Sequence, residues 1–293
     1  MTRLSCLWLT SAVLAAPLLI DPAIAGDSGT TFQSVAIGDC AAAKGTVCLT
    51  APLVSGAPTT ALDVLSDIYP GLGPDGAGKR FAGAEAVEAA SDPEAGEPAD
   101  RAVNIATNDS AEIAVVEAGT KAYAAAMSNG VVTVAEVKPA YRPLGRLLVD
   151  TDPGEPTYGY RLLLAAPSSP VVVTVSSHFN SEEGFDSFHL VGVVKDELVD
   201  LYDGPYLYSF AQATEQCEIL DHRENVAVFE TVAAAGRDLA DVAIIIDYAA
   251  TCTNGDATQP VDKKSFPIRL TFEGARYDGV SSALDDFNAK FTE

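Results

Sequence analysis

The chain has 293 residues, 48 % of them hydrophobic, and carries 41 acidic against 18 basic side chains, a formal net charge of −23. That hydrophobic fraction excludes wholesale disorder, and a charge of that sign repels nucleic acid and anionic lipid surfaces. A protein or a glycan remains as the partner class, and nothing in the residues calls for a cofactor.

Residues 1–25 read as a targeting segment. Arg3 supplies the positive start, Leu4 to Ile20 is apolar but broken by Pro17, and Ala23-Ile24-Ala25 is a small-x-small cleavage signal before Gly26. The apolar run is short and interrupted for a membrane anchor. Cleavage after Ala25 predicts a periplasmic or secreted mature chain with no membrane span. The charge survives, because Arg3 and Asp21 cancel, and about 268 residues remain, enough for a good core. The alanine-rich texture is that of a bacterial envelope or secreted protein. Cys6 leaves with the segment, and Cys40, Cys48, Cys217 and Cys252 form an even set suited to an oxidising compartment. Three connectivities are open, and the expected one is local: Cys40 with Cys48, Cys217 with Cys252. No CxxC spacing suggests zinc.

Residues 26–100 read as an N-terminal arm or small lobe with one helix and an acidic linker. Gly26-Asp27-Ser28-Gly29 looks like a serine-protease nucleophile segment, but no chain precedes it to supply a histidine. Thr59 to Tyr69 predicts a short helix, with Thr60 and Asp63 as a capping box and Leu62, Leu65 and Ile68 at helical spacing. Pro70 and Gly71 stop it. Gly73 to Arg80 matches most of a phosphate loop, yet Arg80 stands where magnesium needs Ser or Thr, and no strand precedes it. It reads as a glycine-rich turn. Glu85 to Asp100, rich in Ala, Glu, Pro and Gly, reads as a solvated linker.

Residues 101–293 read as an antiparallel β domain with a C-terminal helix. Strand-like runs recur at Ile113–Glu117, Lys121–Ala126, Val131–Val137, Leu144–Val149, Tyr160–Ala165, Val171–Val175, Phe185–Val194, Val226–Val232, Val242–Tyr248 and Phe266–Phe272. Ser128-Asn129-Gly130 and Asn254-Gly255-Asp256 are hairpin turns, and Asp203-Gly204 reads as another, with Pro205 marking an edge strand. Asp150 to Glu155 begins like a calcium loop but lacks its distal bidentate Glu. Ser281 to Phe291 predicts a final helix with Leu284, Phe287 and Phe291 on one face. Roughly ten to twelve strands with turn chemistry between them predict a mainly β meander, sandwich- or barrel-like, with a partial propeller as the alternative.

The chemistry-bearing residues gather between Tyr158 and Phe210. His178 and His189 flank a polar hairpin loop that holds Glu182, Glu183 and Asp186, a set that could bind zinc or form an acid–base pair. Such carboxylates could also pair for glycoside hydrolysis, although nothing singles out a pair among so many. Tyr202, Tyr206 and Tyr208 could form a platform for a sugar or a peptide, or pack across strands as core. His222, within Asp221-His222-Arg223-Glu224, reads as a surface residue in a charged turn. The expected function is therefore an exported, non-enzymatic envelope or secreted module that binds a protein or a glycan. The alternative is an exported hydrolase, metal-dependent or acid/base, using the His178/His189 loop.

Overall fold

The structure is a computed structural model that describes residues 29–38, 45–79, 102–105, 111–128, 130–149, 157–179, 183–195, 197–279 and 282–289. The targeting segment, Cys40, the acidic linker, the Asp150–Glu155 loop, Glu182, and the side chain of Glu183 lie outside the described residues.

The protein is mainly β. The elements are β1 (Thr30–Thr31), β2 (Gln33–Ala36), β3 (Thr46–Cys48), α1 (Ala61–Leu65), β4 (Ala77–Lys79), β5 (Ala102–Asn104), β6 (Glu112–Ala118), β7 (Lys121–Ser128), β8 (Val131–Lys138), β9 (Arg142–Leu148), β10 (Thr157–Ala166), β11 (Ser169–Phe179), β12 (Glu183–Val194), β13 (Glu197–Gln212), β14 (Ile219–Val232), β15 (Asp241–Asn254), β16 (Ala257–Phe272), β17 (Tyr277–Asp278) and α2 (Ser282–Asn288). A large sheet runs β1-β10-β11-β12-β13-β14-β15-β16-β17, and a smaller one runs β3-β2-β6-β7-β8-β9. Among the described residues, pairing is antiparallel except between β2 and β3. β4 and β5 form a separate two-stranded ribbon.

Side-chain alternation explains how these sheets stack. On β7 and β8, Ala124, Ala126, Ala135 and Val137 face one way, toward Val64, Leu65 and Tyr69 around α1. Ala125, Met127, Val132 and Val134 face the other way, toward Leu162, Val172 and Val191 of the large sheet. Both faces are buried, so these strands carry the unbroken apolar runs of a doubly covered sheet. The large sheet's other face, with Val171, Val173, Phe188 and Leu190, packs against Ile244, Ile246, Ile268 and Leu270 from the same sheet. That is possible because the sheet folds over: Phe229 of β14 lies 6.2 Å from Tyr160 of β10 and 6.4 Å from Phe188 of β12. Full burial of a side chain such as Phe229 contributes about 1.5–3 kcal/mol.

The capping box is present: Asp63 N–H donates to Thr60 Oγ1 at 3.3 Å, and Thr60 N–H donates to Asp63 Oδ2 at 2.7 Å. The helix is shorter than its spacing predicts. Beyond Leu65 the chain tightens into turns, with Ile68 N–H bonded to Leu65 O at 2.9 Å, which still brings Ile68 and Tyr69 into the core. Gly73 to Ala77 is a turn closed by Gly73 N–H to Ala77 O at 2.7 Å. Hairpins close at Ser128↔Val131 and Asn254↔Ala257, as Asn-Gly chemistry demands. Cys217 and Cys252 are disulfide-bonded with Cα atoms 5.4 Å apart. Cys48 is also disulfide-bonded.

Two expectations are corrected. Asp203-Gly204-Pro205 is not a hairpin turn: all three lie inside β13, which pairs with β12 along this stretch, while β14 joins β13 only at residues 209–212 and leaves the other side of Pro205 without a paired strand, as its edge character implies. The register slips between Ser187↔Tyr206 and His189↔Asp203. Gly204 at φ 124° and the donor-less Pro205 are absorbed as an irregularity rather than a reversal. His222 is not a surface residue: it sits within β14 and is 1 % exposed.

β9 approaches β13 closely at Gly145, whose φ is 150° and where a Cβ would meet Leu198 Cβ at 2.8 Å. Gly145→Ala is expected to destabilise the protein by about 1–3 kcal/mol through overpacking and backbone strain. An unchanged urea midpoint would contradict that contact.

Candidate functional site

The place where β13 and β14 part company builds a concavity. Their ladder runs from Gln212↔Leu220 to Ser209↔Arg223 and stops. The next donor, Tyr208 N–H, is taken instead by Glu224 Oε2 at 3.0 Å. A side chain thus replaces a strand carbonyl, and the two strands diverge into the two layers of the folded sheet. α2 closes the gap. Its Phe287 packs at 4.6 Å on Tyr248 and 5.2 Å on Phe266, and its Asn288 Nδ2 donates to Glu224 Oε2 at 3.4 Å.

Glu224 has no exposed side-chain surface, and its Oε1 lies 3.4 Å from Nε2 of His222. The His222 ring is held between Phe210, at 4.3 Å, and Tyr248, at 4.6 Å. A buried carboxylate is costly unless hydrogen-bonded, and this one is met by a backbone amide, an amide side chain and an imidazole. It fixes the junction of β13, β14 and α2.

Above that junction lies a cleft of about 410 Å³, walled by Tyr202, Asp203, Tyr206 and Tyr208 from β13 and by Asp285 and Asn288 from α2, with Ile268 and Leu284 at its apolar base. Tyr202 is anchored, its hydroxyl donating to Gly279 O at 2.8 Å. Burial, followed by the negative charges of Asp285, Asp203 and Asp278, pushes its hydroxyl up to about 12. Tyr206 is 45 % exposed, and its hydroxyl donates to Asp203 Oδ1 at 3.2 Å. Its acidity is also weakened, first by burial and then by Asp203. Phe185 backs both rings, 6.3 Å from Tyr206 and 6.4 Å from Tyr208. Such a wall offers aromatic faces, hydrogen-bond acceptors and negative potential at once.

The three tyrosines named from sequence are therefore brought together. The histidines are not. β11 and β12 pair as a hairpin with Thr174↔His189 and His178↔Phe185, which puts both histidines on one face but about 13 Å apart along the strands at 3.3 Å per residue. His178 stacks on Phe185 at 5.0 Å. His189 is 5 % exposed and lies 3.9 Å from Asp200 and 3.7 Å from Asp203, ion-pair distances longer than a hydrogen bond. The imidazole holds the Asp200 carboxyl below its usual range against the opposing effect of burial. Asp186 pairs opposite Ser177 and so faces away from both histidines. Among the described residues, no group of three or more His, Cys, Asp or Glu side chains converges as a metal set. Also among them, no helix is long and apolar enough to cross a membrane.

Sequence reasoning missed Glu224, Asn288 and the inward His222. One signal was available. His222 and Glu224 share the parity of Leu220 and Val226, both packed against the core, so strict alternation places them inward. No protein-family model, no curated protein and no solved structure matches this chain.

Proposed function

We propose that the protein is an exported, non-enzymatic module of a cell envelope or secretome that binds a protein or glycan ligand in the cleft between β13 and α2. The observation that carries this reading is the half-exposed Tyr206, standing with Tyr208 over a concavity whose floor is fixed by the buried Glu224. Rigid aromatic rings give large contact area at small entropy cost, and a pre-formed wall reduces what binding must order. The layered strands, read as a sandwich-like fold, hold that wall from two sides. Export is supported by the charged start, apolar run and Ala23-Ile24-Ala25 signal, and by a disulfide between Cys217 and Cys252.

The test is a panel of neutral and charged oligosaccharides and short peptides, followed by NMR of tyrosine ring signals. A binder is expected to move Tyr206 and Tyr208. Tyr206→Ala is expected to weaken it about tenfold or more, the usual consequence of losing an aromatic anchor. A panel that leaves both rings unmoved would count against the cleft. Hydrolysis of a panel member, lost in a His178→Gln/His189→Gln variant, would replace this reading with the hydrolase.

A further inference from the structure

We infer that the cleft takes an organic cation, an alkylammonium group carried either on a lysyl side chain of a protein partner or on a free small amine. The inference rests on the cleft being the ligand site and adds the chemistry of what enters. Asp203 and Asp285 supply two carboxylates, and none of the lining side chains is basic. The rings of Tyr206 and Tyr208 offer π faces, which attract cations over their centres. The surrounding field is unbalanced as well: Asp278 adds to Asp203 and Asp285 in acting on Tyr202.

A second observation is independent of the carboxylates. Asn288 is 9 % exposed, and its Oδ1 is buried and accepts no hydrogen bond. Its Nδ2 is committed to Glu224, and turning the amide over would set oxygen against carboxylate, so the acceptor orientation is fixed. A buried unsatisfied amide oxygen is costly, and a donor-only ligand relieves it. An ammonium has three donors and no acceptor; a sugar hydroxyl brings an acceptor that this wall does not need. The same neighbourhood already holds one ammonium against aromatic faces. Lys264 Nζ lies 4.4 Å from the ring centroid of Phe287, next to Asn288, and is paired with Asp262 at 3.0 Å.

The experiment titrates the full chain with n-butylammonium and, separately, with the neutral isostere n-butanol, followed by tyrosine ring NMR and calorimetry. Butylammonium is expected to shift Tyr206 and Tyr208 saturably, with butanol at least tenfold weaker. Asp203→Asn with Asp285→Asn is expected to lose tenfold or more while circular dichroism stays unchanged, and added salt is expected to weaken binding. Nα-acetyl-lysine amide binding more tightly than butylammonium supports a lysyl partner, and the reverse order supports a free amine. Equal binding of butanol, or an unaffected double variant, overturns the inference. A neutral oligosaccharide that shifts the rings where butylammonium does not would also overturn it, yet leave the cleft standing as a ligand site. If no probe shifts them, both readings fail.

Discussion

Replacing Cys217 and Cys252 by serine is expected to lower stability by about 4 kcal/mol, the chain-entropy value for a closed loop of this length. The two cysteines are 35 residues apart in sequence. The bond joins the β13–β14 connection to the far end of β15, where the apolar core no longer reaches. Residues 257–265 of β16, alongside that end, are exposed without interruption. Hydrogen bonds hold the rest of the corner: Glu218 N–H to Asn254 Oδ1 and Gly255 N–H to Glu218 Oε2, each at 2.8 Å. Reduction is therefore expected to loosen this end first, seen as faster amide exchange over 212–222 and 249–262 while β7 and β8 stay protected. Non-reducing peptide mapping should recover the 217 and 252 peptides linked. Free thiols at both positions, or a urea midpoint unmoved in the double serine variant, would refute it.

Acid is expected to weaken the fold through Asp241. This carboxylate starts β15, is 3 % exposed, and is gripped by Arg237 and by Arg269, whose Nη2 lies 2.8 Å away. Burial pushes its proton affinity up, but hydrogen bonds from Arg269 and Arg237 outweigh burial and hold it below the ordinary range. A folded pKa below the unfolded value, about 3.9, means the contribution is present above that pH and lost as pH falls through the folded value. Glu136, between Arg142 and Lys121, carries the same sign by the same balance. Asp241→Asn is expected to cost about 2–3 kcal/mol at pH 7, less than a fully buried pair because both arginines retain contact with water. The gap between variant and parent should narrow as pH falls below about 4. A difference constant from pH 7 to pH 3 would show that packing, not charge, fixes this site.

Strand identity was legible because it is a local property. The branched run Val171–Val175 favours an extended backbone through side-chain sterics. Asn254-Gly255 favours a tight reversal through backbone freedom, and Thr60 with Asp63 caps a helix through bonds three residues apart. Each of these needs only its neighbours. The Cys217–Cys252 pairing was legible for a related reason: the strands between them had to form a hairpin. Asp203-Gly204-Pro205 misled because its turn chemistry is equally compatible with an irregularity inside a paired strand, and β12 decided the outcome by pairing with β13 both before and after it.

What the sequence determined by itself is the extended character of most of the chain, the places where it reverses, and a charge balance that sets the class of ligand it repels. Only the tertiary structure decided which faces meet. The large sheet folds over so that Phe229 reaches Tyr160 and Phe188. His189 is drawn to Asp200 and Asp203 instead of His178. Asn288, from the last helix, joins Glu224 and His222 beneath three tyrosines from a strand some eighty residues earlier. Such contacts are fixed by how buried surfaces fit and by where a buried carboxylate finds its donors. Neither leaves a periodic trace in the chain, so the cleft became visible only once β13, β14 and α2 were set in place.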